Sequence, residues 1–239
     1  DGDGGGGGGS RGGSRGNRNV TGGGARALAE IYGTEQDKVN CAFFIKVGAC
    51  RHGDTCSRLH NRPPLSQTLL LKNLYFPPVQ EPGQPPLTEK DLLEHYEEFY
   101  EDIFTEVSKF GDVHDMVVCE NHGMHLAGNT YVKFETEEAA QKAFTGLAGR
   151  FYAGRPILAE YTAVTDIWEG VCKQLEKEGT CSRGSNCNFM HLKKIGRELE
   201  ADLYPDGRGG AGFRGYSGGG YGRTGRHDGP NRDADDFRG

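Results

Sequence analysis

The segment from Cys41 to His60 carries a ligand pattern that the chain writes twice. Cys41, Cys50, Cys56 and His60 follow the spacing C-x8-C-x5-C-x3-H, and Cys172, Cys181, Cys187 and His191 repeat it. In each copy a glycine stands two residues before the second cysteine (Gly48, Gly179) and another three after it (Gly53, Gly184). Three thiolates and one imidazole fill the tetrahedral shell of a structural zinc ion and leave no position for substrate or reactive water. The spacing therefore predicts two closed Cys3His fingers and two Zn2+ ions, one on each side of a central segment.

The alternative for these cysteines is a disulfide framework. The repeats consume six of the seven cysteines together with two histidines at matching offsets. The remaining Cys119 falls in the apolar run Met116 to Cys119 and reads as a small buried residue. Neither a secretory signal nor an apolar stretch of membrane-spanning length is seen, so a reduced, soluble, intracellular chain with no membrane partner is expected. His52 lies only two residues from Cys50, too close for the repeated pattern, and reads as a surface or RNA-facing side chain. The chain starts at Asp1 without an initiator methionine, which suggests a trimmed or processed fragment.

A net charge of −6 taken alone argues against a nucleic-acid binder. Its distribution points the other way. Lys38 to Arg62 holds five basic residues against one acidic, and Cys172 to Arg197 holds six against two. Thr88 to Lys109 holds two basic residues against eight acidic. Both fingers are basic islands and the acid is concentrated on one helix, which implies two partners of opposite character.

The 239 residues divide into five parts. Residues 1–24, nearly all Gly, Ser, Arg and Asn, cannot bury enough surface to offset ordering and are expected to be disordered. Residues 25–66 hold a short helix (Ala25 to Tyr32) and finger one. Residues 67–162 form a small domain. Residues 163–206 hold finger two and a following helix. Residues 207–239, with Arg-Gly and Tyr-Gly pairs, read as a flexible tail able to add weak, salt-sensitive RNA contacts.

Within the central part, Thr68 to Leu74 reads as a buried strand. Thr88 can cap a helix with Asp91 as its capping-box partner. Leu92, Tyr96, Phe99, Ile103 and Val107 then recur at helical spacing over about five turns, and Gly111 ends it. Val113–Cys119 and Asn129–Phe134 alternate as strands, Thr136–Leu147 is a second helix, and Pro156–Tyr161 a last strand. The order βαββαβ is the ferredoxin-like topology of an RNA-recognition motif. The expected fold class is thus α+β: a central RRM-like domain flanked by two fingers, with Gly-rich termini.

Such a motif binds bases by stacking them on aromatics of its sheet, within the pattern K/R-G-F/Y-G/A-F-V-x-F/Y. The matching stretch, Ala127 to Phe134, opens with alanine and puts Asn129 at the first stacking position, while Leu70 stands at the aromatic position of the first strand. Only Tyr131 could still stack. Each lost platform is worth roughly 1–3 kcal/mol per base, so RNA binding on the sheet is expected to be weak. Glu98, Asp102 and Glu106 instead form an acidic stripe at i, i+4, i+8 on the long helix. Arg150, Phe151 and Tyr152 follow the second helix with exposed-looking rings beside an arginine. A guanidinium plane and a ring can clasp a partner's tryptophan, and the stripe can hold its basic flanks. The domain reads as a protein clamp.

The stretches Tyr32 to Cys41, Ile45 to His60, Gly128 to Phe134 and Cys187 to His191 carry a resemblance. Over about residues 27 to 204 the chain resembles the small subunit of the spliceosomal U2 snRNP auxiliary factor. That resemblance implies a U2AF-homology motif holding the large subunit through a tryptophan-containing basic peptide. It also implies fingers that recognise the AG dinucleotide of the 3′ splice site in single-stranded pre-mRNA, help in recruiting the U2 particle, and residence in the nucleus. By the same resemblance Arg150, Phe151 and Tyr152 are the clamp motif, with Tyr152 in place of phenylalanine and Phe151 in place of tryptophan. The resemblance further implies that Asp102 and Glu106 face the partner and that Phe43, Ser57, Arg58, Arg183 and Phe189 contact RNA. The run Asp166 to Val171 departs from the family, which has arginine near Trp168, and a Gly/Arg/Tyr tail replaces the Arg/Ser-rich one.

Small Cys3His fingers have almost no core, so metal binding supplies their folding energy. Phe43 and Phe189 with Arg58 and Arg183 beside them suit unstacked bases better than duplex. Packing around the zinc is the equal alternative for Phe43 and Phe44. One finger reads too few nucleotides to be selective, so the two are expected to lie side by side as one site. Chelation is expected to unfold the fingers and spare the central domain. Other readings are a CCCH regulator of mRNA stability or export without AG specificity, and an assembly protein whose fingers are struts. An enzyme is disfavoured, since both metal sites are closed and neither a nucleophile–base pair nor a phosphate loop is seen.

Overall fold

Alternation along the first strand, β1 (Thr68–Leu71), sends Leu69 and Leu71 to one face of the sheet and Leu70 to the other, and all three are buried. A sheet covered on both faces follows. The computed structural model describes residues 32–205 apart from 35, 81 and 84. The Gly-rich segment 1–24, the helix expected before Tyr32 and the tail 207–239 lie outside the described residues.

Finger one contributes a short helix, α1 (Ala42–Val47). After β1 comes the long helix α2 (Glu89–Ser108), whose Thr88 and Asp91 form a reciprocal capping box. Strands β2 (Val113–Cys119) and β3 (Thr130–Phe134) follow, then α3 (Glu137–Leu147), which Thr136 caps by accepting from the Ala139 amide. Next are the two-residue strands β4 (Phe151–Tyr152) and β5 (Arg155–Pro156), then β6 (Ala159–Tyr161). Finger two adds α4 (Lys173–Glu178) and β7 (Leu192–Lys193), and α5 (Arg197–Leu203) follows it. The main sheet runs β6-β1-β3-β2-β7, every neighbouring pair antiparallel.

Two elements differ from the sequence reading. The single last strand expected over Pro156–Tyr161 is divided. Phe151 pairs with Pro156 and Tyr152 with Arg155 in a separate hairpin, turned by Ala153 and Gly154 at φ 46° and 75°. Proline has no amide hydrogen for the ladder, so it stays on this hairpin and the sheet is joined only from Ala159. The fifth strand, β7, comes from finger two and pairs with the end of β2, Val118 facing Lys193 and Cys119 facing Leu192. Its two residues carry no periodicity by which to find it.

One face of the sheet packs against α2 and α3. Tyr96, Phe99, Tyr100, Ile103 and Val107 of α2 meet Leu69, Leu71, Met116, Val118 and Val132 there. The other face, which an RNA-recognition motif offers to bases, is covered. Leu70, Val117, Cys119 and Tyr131 pack against Val47 of finger one and against Ile167, Val171 and Met190 around finger two. Tyr131 is fully buried and its hydroxyl donates to the Val47 carbonyl at 2.6 Å. The expectation that Tyr131 could still stack a base is therefore corrected. Asn129 is buried as well, its side chain accepting from the Asn73 amide and donating to the His125 carbonyl. The sheet is the floor on which the fingers stand.

Candidate metal centres and nucleic-acid interface

Each finger begins with an extended cysteine, a short helix and a left-handed glycine. Gly48 and Gly179 take φ 72° and 68° at the ends of α1 and α4, a conformation that costs glycine nothing. This turn returns the chain toward the second cysteine and accounts for the repeated glycine. A parallel bridge then ties the first ligand to the last turn. In finger one the Cys41 amide donates to the Leu59 carbonyl, and in finger two the Cys172 amide donates to the Met190 carbonyl, both at 2.9 Å.

The result brings Cys41, Cys50, Cys56 and His60 together, and Cys172, Cys181, Cys187 and His191 likewise, with all ligand atoms of a group within 4.8 Å of one another. The Sγ atoms of Cys50 and Cys56 are 3.9 Å apart, and those of Cys172 and Cys181 3.7 Å. Nε2 of His60 and of His191 is buried without a hydrogen-bond partner, a loss that a metal bond makes good. Burial also holds both imidazoles below their ordinary pKa, in the neutral form that ligates. Cys56 and Cys181 lie below the usual thiol range because the amides of Arg58 and Arg183 donate to their sulfurs. Burial pushes Cys50 and Cys172 up, a cost that a dication reverses by binding the thiolate. The donor set fits one structural zinc ion per finger. Cys119 is buried at the end of β2, and His52 is exposed, neither joining a ligand group.

The structure divides the two adjacent phenylalanines between two tasks. Phe44 is buried and its ring stacks on the ligand His60, centroids 4.4 Å apart and planes at 6°. Phe43 meets Phe189 of the other finger edge to face at 5.5 Å. Arg51 reaches the Asn186 carbonyl across the same seam at 3.4 Å. The fingers stand side by side, as the sequence reading expects. A hollow of about 350 Å³ at this seam is lined by Lys46 of finger one and by Lys173, Gln174, Ser182, Arg183 and Phe189 of finger two. Three cations, one carboxylate (Glu169), two side chains with donors and acceptors, and one ring thus surround a space large enough for a nucleotide, with positive charge in excess. Lys46 and Lys173 were not singled out from the sequence; their signal is the basic surplus of each finger. Ser57 is exposed and Arg58 half-buried on finger one, and neither lines this hollow.

On the opposite layer, α2 and the β4–β5 hairpin form the second candidate surface. Glu106 accepts from Arg150 and from Lys109, both at 2.6 Å, and these two cations hold its carboxyl below the usual range. Asp102 accepts from the Tyr152 hydroxyl at 3.2 Å. Tyr152 is half-buried, its ring edge to face with Phe99 at 5.5 Å, and burial together with Asp102 raises its pKa to about 12. The expectation of two exposed rings is therefore corrected. Phe151 alone stands out, 68% exposed, and Tyr152 is packed into the wall. A pocket of about 200 Å³ lies between Ile103, Glu106, Leu147, Arg150 and Tyr152. Glu98 is exposed one turn before Asp102.

Residues 36–62 and 169–193 match the family described as "Zinc finger C-x8-C-x5-C-x3-H type (and similar)", and residues 95–158 match "RNA recognition motif". A splicing factor U2af small subunit of Arabidopsis thaliana is 51% identical over 185 residues, covering 75% of this chain and 65% of that protein. Splicing factor U2AF 23 kDa subunit of Schizosaccharomyces pombe is 52% identical over 179 residues, covering 75% and 82%. Splicing factor U2AF 26 kDa subunit of Bos taurus is 50% identical over 191 residues, covering 77% and 86%. The chain spans under two-thirds of the plant relative's length. The match extends along most of the yeast and bovine proteins, and the chain belongs to the U2AF small subunit family of splicing factors.

Proposed function

We propose that this chain is a pre-mRNA splicing subunit of the nucleus that uses its two surfaces at once. The paired zinc fingers take the AG dinucleotide of a 3′ splice site in single-stranded RNA. The α2 and β4–β5 surface holds the large subunit of the factor through a basic, tryptophan-containing peptide and so helps recruit the U2 particle.

The observation that carries this reading is the contact of Phe43 with Phe189. It joins two basic fingers, each too small to select a sequence, around one hollow lined by Lys46, Lys173 and Arg183. Phosphates are attracted by such a surface and unstacked bases find a ring and polar edges within it. The pocket beside Arg150 and Tyr152, bordered by Asp102 and Glu106, lies across the sheet from the fingers. A bound protein there leaves the RNA face open.

The test is competition binding of AG, GG and AC oligonucleotides to the zinc-loaded chain. A clear preference for AG is expected; equal affinities would return the fingers to the class of regulators without splice-site specificity.

A further inference from the structure

A cavity of about 590 Å³, larger than the hollow between the fingers, lies where finger two joins the sheet. Tyr75 and Phe76 of the loop after β1, Leu92 of α2, Glu120 and His122 after β2, and Lys193 of β7 line it. Its walls are fixed by bonds between the two parts of the chain. The Glu120 amide donates to the His191 carbonyl at 2.8 Å, and the His122 amide to the Ser185 carbonyl at 2.9 Å. The His122 ring is bonded to the Ser185 hydroxyl at 2.9 Å. The Tyr96 hydroxyl donates to the Lys193 carbonyl at 2.8 Å. Phe76 is braced from outside by the Arg155 guanidinium, 3.4 Å from its ring centre.

Two charged groups of this cavity keep their hydrogen-bonding capacity. Among the described residues, neither the Glu120 carboxylate nor the Lys193 ammonium forms an ion pair or hydrogen bond; the ammonium lies 5.1 Å from the centre of the Tyr96 ring. An acceptor-only group, the exposed Glu120, and a donor-only group, the half-buried Lys193, therefore border one space walled in part by the rings of Tyr75 and Phe76. The complementary ligand is planar, with N–H donors along one edge and an acceptor oxygen close by. Guanine has that pattern: N1–H and the N2 amino group can both donate to one carboxylate, and O6 or the nucleotide's phosphate can meet the lysine. Adenine offers no such pair of donors on one edge. The volume lies within the range of pockets that enclose small ligands.

We propose that this cavity is a pocket for one unstacked guanine of the RNA strand that the fingers hold, with Glu120 reading its donor edge and Tyr75 and Phe76 supplying the apolar wall. The inference rests on the RNA-binding reading above and extends it to a nucleotide outside the AG dinucleotide. Continuity supports it, because Lys193 and the backbone of His191 belong to the finger that borders the hollow.

The test uses the full zinc-loaded chain and oligonucleotides with one AG, in which each neighbouring position on both sides is set in turn to each of the four bases. At one position guanine should bind about tenfold tighter than adenine, the range of a bidentate base contact. Glu120→Gln should abolish that difference while zinc content, thermal unfolding and the AG preference stay unchanged. Phe76→Ala should weaken all bases at that position. A guanine preference at no position, or one that survives Glu120→Gln, overturns the pocket assignment, as does a Phe76→Ala chain with unaltered RNA affinity. Loss of AG preference in the unmodified chain would sink the splice-site reading instead, and a guanine preference that depends on Glu120 would still stand.

Discussion

The Tyr131 hydroxyl donates to the Val47 carbonyl across 84 residues of sequence, and this bond links the middle of the sheet to the last residue of finger one's helix. It spends the one aromatic ring left on that face in holding a finger. Tyr131→Phe removes the donor and leaves a buried carbonyl unmet, which should cost about 1–3 kcal/mol. Denaturant unfolding of the zinc-loaded chain measures it. RNA affinity should change less than twofold, and a large loss would mean that this hydroxyl bond sets the placement of finger one for RNA.

Metal removal should reach beyond the fingers. The sequence reading expects modularity, but Leu70, Val117 and Tyr131 are covered by finger residues, and β7 leaves finger two directly after the ligand His191 to complete the sheet. Stripping zinc unfolds the fingers and uncovers this apolar face. Scanning calorimetry with chelator should show the central domain melting at a lower temperature than in the loaded chain, with dye-binding hydrophobic surface appearing before it melts. An unchanged melting temperature would restore the modular picture.

Glu106 provides a pH test of the clamp. Arg150, followed by Lys109, favours its ionised form, so its folded pKa lies below the usual 4.5. The sign follows from that depression: the pairing contributes fully above the unfolded value and is lost as pH falls through the lower folded one. Carboxyl-carbon NMR should find the Glu106 midpoint below 4.5, and Arg150→Ala should raise it toward the ordinary value. Overall stability should barely move, since exposed pairs are worth about 0–1 kcal/mol. Asp102→Lys with Glu106→Lys should weaken capture of the large subunit, and an undiminished pull-down would remove the clamp assignment.

Gly128 turns the chain into β3 at φ 65°, and a Cβ there would lie 1.9 Å from the Tyr75 carbonyl oxygen. The same backbone contact carries the Tyr75 amide to the Gly128 carbonyl at 3.0 Å, so the neighbour cannot retreat without breaking a bond. Gly128→Ala should destabilise the chain by about 3 kcal/mol through strain and displacement of the Tyr75 loop. Urea unfolding would detect it, and a cost under about 1 kcal/mol would show the loop to be compliant.

The eight ligands, the capping box at Thr88 and Asp91, and the run of α2 were legible from residue order because each depends on neighbours a few positions apart. Spacing alone tells a Cys3His finger from a disulfide framework, and a missing aromatic at Asn129 or Leu70 is visible without coordinates. Tertiary structure decided what happened to the residues left over. Phe43 and Phe44 are adjacent and chemically identical, yet one reaches the second finger and the other stacks on a ligand. No local rule separates them, because their partners are set by which face of α1 meets finger two. The same holds for Tyr131, for the two-residue β7 and for the Arg150–Glu106 pair, whose partners lie tens of residues away. Their positions follow from packing two fingers on one face of a sheet and two helices on the other, and long-range burial of that kind leaves no periodic trace in the chain.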